Sequence, residues 1–171
     1  METIAEHNQE CQSGQEITMQ LICLEGEEIV AKNISSMDKS HLISVIGGYV
    51  TSGVMSQLKD LQKVFENEVI KNRMSSLSVG EIIFLVKIFS QAECASAEFY
   101  AIMDKYIGLH LSEGVHIDPA YIYCLLKSFY DSGHARPKLF IKLQKVVLGS
   151  MPSINANEIC AIVRLYFEMD V

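Results

Sequence analysis

The chain has 171 residues, of which 49% are hydrophobic, with 10 glycines, only 3 prolines and a formal net charge of −7. This composition indicates one soluble globular domain with a sizeable core, and no apolar run reaches the length of a membrane span. The five cysteines are scattered without a C-x-x-C pair, which argues against a disulfide framework and against a zinc site.

The chain begins with an acidic segment. Residues 1–36 contain seven acidic side chains against one lysine, Lys32, and therefore carry −6 of the net charge. The polar residues 1–14 predict a mobile tail, and residues 16–34 predict a helix that Gly26 could interrupt. A transit peptide is rich in arginine and poor in acids, so this N-terminus shows no cleavable targeting signal.

Four later segments repeat one pattern at a nearly fixed period. They begin at Met37, Leu77, Ile117 and Ile154, which are 40, 40 and 37 residues apart. In each segment a residue that favours helix N-caps is followed by apolar residues at i, i+3, i+4 and i+7, the spacing of one helix face. The four cap positions are Asp38, Ser78, Asp118 and Asn155. A period of this length is typical of stacked supersecondary units.

Local signals mark where these repeat helices begin and end. The segments Ser78–Glu81 and Asn155–Glu158 match the capping-box pattern, and Asp118 is followed by a proline at the first helical position. Gly53 and Gly133 follow the first and third repeat helices, where a glycine commonly adopts the left-handed conformation. The repeat helices are therefore predicted from local chemistry as well as from hydrophobic periodicity.

A second helix fits between the end of each repeat helix and the next start. The candidates lie at about residues 56–71, 96–108 and 136–148. The helix over residues 16–34 would take the place of the second helix of a preceding hairpin. The sequence therefore predicts an all-α protein, a right-handed α-solenoid of about three and a half hairpins, forming a single domain over residues 15–171.

Catalytic and metal-binding patterns are absent from the sequence. It contains no glycine-rich phosphate loop, no nucleophile elbow and no H-E-x-x-H motif, and its five histidines show no i, i+4 pair. We therefore expect no catalytic residues, no bound metal and no cofactor.

One row of basic residues could contact nucleic acid. Lys87, Lys127 and Arg164 occupy the same repeat position, about 100° around the helix from the buried stripe. Arg136 and Lys138 add to residues 117–149, which carry five basic side chains against two acidic ones. These five residues are the candidate RNA-binding site, with the basic row contacting phosphates. The alternative is a solvated flank whose long side chains cover apolar surface.

The repeat helices resemble a known group of sequences. A polar cap and two apolar residues followed by L-V-K-I-F, L-L-K-S-F or I-V-R-L-Y resemble the degenerate hairpin repeats of heptatricopeptide, octotricopeptide and FAST-kinase-like RAP proteins. The resemblance covers about residues 37–171, without a C-terminal RAP domain.

Members of those families act in mitochondria or chloroplasts, in RNA processing, RNA stability and organellar ribosomes. The resemblance implies a non-catalytic subunit of an organellar RNA-associated assembly, in RNA processing or a ribosome, that contacts mainly protein and to a lesser extent RNA. The location it implies is mitochondrial. The residues alone leave open generic HEAT-like packing and a cytoplasmic protein–protein scaffold without a nucleic-acid role.

The fourth repeat contributes one helix, from Asn155 to about Met169, with a broad apolar face. Terminal repeats usually carry a polar outer face, and this helix does not. We therefore predict that it is an interface for a partner protein or a second copy. The predicted interface residues are Ile159, Ile162, Val163, Tyr166 and Phe167.

Overall fold

The computed structural model describes residues 4–171, with side chains described from residue 18 onward. Within this part of the chain there are eight α-helices and no strand, which confirms the all-α prediction. The structure divides into two compact units, Met1–Val69 and Ile70–Val171, and each is treated separately. One continuous repeat domain over residues 15–171 stays a prediction.

The first unit contains three α-helices. They are α1 (Ile4–Asn33), α2 (Lys39–Thr51) and α3 (Lys59–Asn67), with short 3-10 turns at Ile34–Ser36 and Met55–Gln57 and a π-helical turn that begins at Glu68. Helix α1 packs on α3, and the Tyr49 ring of α2 meets the Phe65 ring of α3 edge-on at 5.8 Å. The backbone of α1 includes residues 4–14, and the predicted mobility of that segment stays a prediction.

Helix α1 continues through Gly26, so the glycine does not interrupt the helix. A Cβ atom on residue 26 would lie 3.3 Å from the hydroxyl oxygen of Tyr49. The glycine therefore allows a close approach of the tyrosine to α1, at the usual helix-propensity cost of about 1 kcal/mol.

The second unit contains the remaining five α-helices. They are α4 (Val79–Gln91), α5 (Ala97–Ser112), α6 (Pro119–Asp131), α7 (Pro137–Ser150) and α8 (Ala156–Glu168). Helices α4, α6 and α8, which are first helices of the predicted hairpins, pack side by side in that order. The second helices α5 and α7 pack on each other and on the first helices of their own hairpins.

All four predicted N-caps are confirmed. The side chains of Asp38, Ser78, Asp118 and Asn155 each accept a hydrogen bond from a backbone N–H of the first turn. The box at Ser78 is complete, because its N–H donates to the Glu81 carboxylate at 2.7 Å and its hydroxyl accepts from the Glu81 N–H at 3.3 Å. At Asn155 the hydrogen bond described is the one from the Glu158 N–H, at 3.0 Å.

The four first helices also end in the same way. A residue with positive φ follows each of them at the same repeat position, and these residues are Gly53 (74°), Glu93 (49°), Gly133 (71°) and Asp170 (55°). The two glycines confirm the sequence prediction. At Glu93 and Asp170 a residue with a Cβ atom adopts a conformation that costs about 1–2 kcal/mol more than it costs glycine.

Aromatic contacts show how one second helix joins two first helices. The Phe99 ring of α5 lies 4.6 Å from Phe89 in the first helix of its own hairpin. The adjacent Tyr100 ring lies 5.9 Å from Phe129 in the first helix of the next hairpin. Two neighbouring residues of α5 therefore fix α4 and α6 to the same second helix.

Candidate interaction surfaces

Two tyrosines at the same repeat position make the same hydrogen bond. Tyr166 in α8 donates to the Phe140 carbonyl of α7 at 2.8 Å, and Tyr49 in α2 donates to the Cys23 carbonyl of α1 at 2.9 Å. In both cases the acceptor lies 26 residues before the tyrosine. Helix α1 therefore accepts from α2 the same hydrogen bond that α7 accepts from α8. That α1 is the second helix of a preceding hairpin stays a prediction.

Both tyrosines have a raised pKa, so the neutral form that donates this bond persists to higher pH than in an exposed tyrosine. Burial raises the pKa of Tyr166 to about 12 and is the main reason why the pKa of Tyr49 is also raised. A buried phenol is costly to ionise because the charged form loses its hydration.

One face of α8 is exposed at positions that are covered in the preceding first helices. Val86 and Leu126 are fully buried, whereas Val163 at the same repeat position is 54% exposed. Phe167 is 84% exposed, against 37% for its counterpart Tyr130 in α6. The sequence pattern is the same in all three helices, so the difference arises from which neighbouring helix covers each one.

The predicted interface residues fall into two groups. Ile162 is buried inside the second unit, and the Tyr166 ring is held against Phe140 at 5.3 Å, so both contribute to the packing of α8 within its unit. Ile159 is partly buried, while Val163 and Phe167 are exposed. The exposed Cys160 belongs with this second group.

Helix α7 extends the exposed apolar area. Ile141 and Leu148 are each 56% exposed, one repeat after Ala101 and Gly108 of α5. Helix α7 covers that part of α5, and Lys142 Nζ lies 3.0 Å from the position of a Cβ atom on Gly108. We define the end surface as the exposed residues Ile141, Leu148, Cys160, Val163 and Phe167.

The basic row lies along two adjacent grooves. Lys87 and Lys127 line a groove of about 450 Å³ between α4 and α6, and Lys127 and Arg164 line one of about 360 Å³ between α6 and α8. Lys127 forms an ion pair with Asp131 at 2.6 Å, and Arg164 forms one with Glu168 at 2.8 Å. Two of the three cations are therefore paired with carboxylates on their own helices.

The charges in these grooves cancel. The first groove is lined by two cations and by the two carboxylates of Glu93 and Asp131, and the second by two cations and by the carboxylates of Asp131 and Glu168. Arg136 and Lys138, at the start of α7, line neither groove. Sequence-independent binding of RNA needs a positive field, which neutral grooves supply only weakly.

A groove of about 640 Å³ contains residue types found in hydrolases but not their geometry. It is lined by His116, Asp118 and Ser150, among others, and Asp118 accepts the N-cap bond from the Ala120 N–H at 3.0 Å. No hydrogen bond joins His116, Asp118 and Ser150 to one another in the described part of the chain.

The described residues contain no group of three or more side chains able to hold a metal ion. Among the same residues, no helix combines the length and the hydropathy of a membrane span. The absence of catalysis, metal and cofactor stays a prediction. Comparison with protein-family models, with curated proteins and with solved structures finds no match to this chain.

Proposed function

We propose that this protein is a non-catalytic helical-repeat protein, a right-handed solenoid of stacked hairpins, that acts as a scaffold for other protein chains. The end surface is the observation that carries this proposal. Four of its five side chains are more than half exposed, up to 84% at Phe167, on helices that are otherwise well packed. A cluster of this kind is typical of protein-interaction sites, and burying each large side chain is worth about 1.5–3 kcal/mol.

The solenoid is supported by repeated contacts rather than by hydrophobic pattern alone. The Tyr49 and Tyr166 hydrogen bonds, the four N-caps and the four left-handed helix ends recur at equivalent positions. In each unit the predicted second helices also pack on each other, α1 on α3 and α5 on α7. Equivalent local contacts in successive hairpins are what a stacked repeat array requires.

The resemblance to organellar repeat families extends the proposal to a mitochondrial RNA-associated assembly, and the alternative is a cytoplasmic scaffold. The alignment of Lys87, Lys127 and Arg164 along adjacent grooves favours some contact with RNA. The carboxylates in the same grooves limit that contact, because they repel phosphate. Protein is therefore the main partner and RNA a secondary one.

The proposal is tested by purifying the tagged full chain from cells that express it, with and without ribonuclease. The matched variants are Phe167→Asp on the end surface and Leu109→Asp on α5, where the leucine is 45% exposed. We expect protein partners that survive ribonuclease, persist with Leu109→Asp and are lost with Phe167→Asp. Loss of all partners on ribonuclease treatment would contradict a protein scaffold.

A further inference from the structure

We propose that the end surface of one molecule is covered by helix α1 of a second copy, which completes the hairpin that begins with α8. This inference rests on the proposed scaffold function and names its partner. It follows from a match between two helices of the chain. Helix α8 is a first helix, and the side on which a second helix would pack is exposed. Helix α1 is a second helix, and the side on which a first helix would pack is exposed.

The equivalence of the two tyrosine hydrogen bonds fixes the register of α1. Cys23 is the counterpart of Phe140, because each carbonyl accepts the bond from a tyrosine 26 residues later. The preceding residue, Ile22, is therefore the counterpart of Leu139 and, one repeat earlier, of Phe99. Leu139 and Phe99 are fully buried, whereas Ile22 is 65% exposed.

The counterpart of Ile22 has a defined role in a complete hairpin. Phe99 packs at 4.6 Å on Phe89, the closing aromatic residue of the first helix. In α8 that position is held by Tyr166, which is only partly buried, beside the exposed Val163. Ile22 of the second copy would therefore lie against Tyr166 and Val163, in the place of a second helix.

The same position would place α1 of the second copy on α7. Second helices pack on each other, as α7 packs on α5, and the counterpart surface of α7 contains Ile141 and Leu148, each 56% exposed. Helix α1 offers further apolar side chains, because Met19 is 52% exposed and Ile29 is 66% exposed. Both helices would thus bury apolar residues that are exposed in the single molecule.

Charge favours this pairing. Helix α7 carries three lysines and no acidic residue, whereas residues 18–33 of α1 carry three glutamates against Lys32. Between α5 and α7, Lys142 bonds to Asp104 at 3.4 Å. The counterpart of Lys142 in α1 is Glu25, so Glu25 of the second copy would reach the part of α7 that contains Gln144 and Lys145. The acidic and basic helices therefore attract in the register that the apolar residues require.

The proposed contact joins two different surfaces, the end surface of one copy and α1 of another. A pair of molecules therefore still has one free end surface and one free α1. The contact can then repeat, giving open-ended chains or closed rings rather than only a symmetric dimer. Assembly should therefore continue beyond a dimer as the protein concentration rises. Growth beyond a dimer separates the proposed contact from one in which two α8 helices pair with each other.

Sedimentation velocity of the full chain over a wide range of concentrations tests the proposal, in reducing buffer because Cys160 is exposed. We expect the wild type and Leu109→Asp to form species larger than a dimer, and Val163→Asp and Ile22→Asp each to stay monomeric, because these two residues meet in the proposed contact. A mixture of those two variants should form a one-to-one dimer, because one retains α1 and the other retains the end surface. Far-ultraviolet circular dichroism verifies that each variant is folded.

A wild type that stays monomeric at every concentration contradicts the proposed contact, and so does a mixture of Val163→Asp and Ile22→Asp that forms no dimer. Lys145→Glu should weaken self-association, and the added change Glu25→Lys should restore it; failure to restore contradicts the register. If self-association fails while partner capture still depends on Phe167, the scaffold function stands and only this inference is lost.

Discussion

Tyr166 and Phe140 are joined twice, by a 2.8 Å hydrogen bond from the tyrosine hydroxyl to the phenylalanine carbonyl and by edge-on contact of their rings at 5.3 Å. This hydrogen bond holds α8, the first helix of the fourth repeat, against α7, the second helix of the preceding hairpin. Tyr49 makes the same bond to Cys23 in the first unit, at 2.9 Å. The two bonds identify equivalent positions in helices whose sequences differ widely.

Removing either hydroxyl should lower stability by a similar amount. We expect Tyr166→Phe and Tyr49→Phe each to reduce the free energy of unfolding by about 1 kcal/mol, the usual net contribution of one hydrogen bond. Tyr121 is 50% exposed, and Tyr121→Phe is the matched control with an effect near zero. Denaturant unfolding measures all three. Equal stabilities of Tyr166→Phe and Tyr121→Phe would contradict a structural role for the bond.

The raised pKa of Tyr166 predicts a loss of stability in alkali. The folded chain keeps the phenol proton up to about pH 12, whereas the unfolded chain releases it near the ordinary value of 10.0. The stabilisation that the Tyr166 phenol contributes is therefore fully present below pH 10 and is lost as the pH rises from there towards 12. The stability difference between wild type and Tyr166→Phe should narrow over that range. A stability difference that does not change with pH would contradict a raised pKa of Tyr166 in the folded chain.

The left-handed helix ends predict that introducing a glycine and removing one have opposite effects on the free energy of unfolding. Glu93→Gly should raise the free energy of unfolding by about 0.5–1 kcal/mol, because glycine adopts the positive φ of 49° without strain. Gly133→Ala should lower it by about 1 kcal/mol, although a Cβ atom there meets nothing within 4 Å.

Gly80→Ala is the control for these substitutions, because Gly80 lies inside α4 with nothing within 4 Å of its Cβ position and no positive φ. Its effect should have the other sign, a gain of up to about 1 kcal/mol from helix propensity. Thermal or denaturant unfolding of the three variants measures these effects. A gain in stability from Gly133→Ala would show that residue 133 is not held in the left-handed region.

Neutralising the carboxylates of the grooves should strengthen RNA binding. We expect the wild type to bind single-stranded RNA weakly, because Asp131 and Glu168 pair with Lys127 and Arg164. The double change Asp131→Asn and Glu168→Gln frees both cations, so the affinity and its salt dependence should increase, with a slope larger by about 0.7 per new phosphate contact.

The opposite change gives the control. Replacing Lys87, Lys127 and Arg164 together by Glu should abolish the residual binding and flatten its salt dependence, while the helical circular dichroism signal is retained. Filter binding or fluorescence anisotropy at several salt concentrations measures both variants. RNA binding that is unchanged in both would exclude the basic row as a contact surface.

The parts of the fold that could be predicted from the sequence are those set by neighbouring residues. The N-cap at Ser78 depends on a side chain three residues from its partner, and such patterns are visible in the sequence. The left-handed Glu93 carries no comparable signal, because glutamate is not typical of that conformation.

The end surface depends on which helices stack, and hydrophobic periodicity does not contain that information. Ile162 and Val163 are adjacent apolar residues of one stripe, yet the first is 2% exposed and the second 54%. Ile141 and Leu148 are exposed for the same reason. In the second unit, the second helix that packs on α7 is α5. The sequence therefore predicted an apolar face on α8 but not the exposed apolar residues of α7.

Pulsed electron paramagnetic resonance on pairs of spin labels measures whether the hairpins stack as one solenoid. Thr51, Gln91, Asp131 and Glu168 are exposed and share one repeat position, so the pairs Thr51–Asp131 and Gln91–Glu168 each span two repeats. In a background without the native cysteines, a solenoid predicts nearly equal mean distances for both pairs, with helix axes roughly 16–20 Å apart from two packed steps of 8–10 Å. A Thr51–Asp131 distance that differs clearly from the Gln91–Glu168 distance, or a much broader distribution, would contradict it.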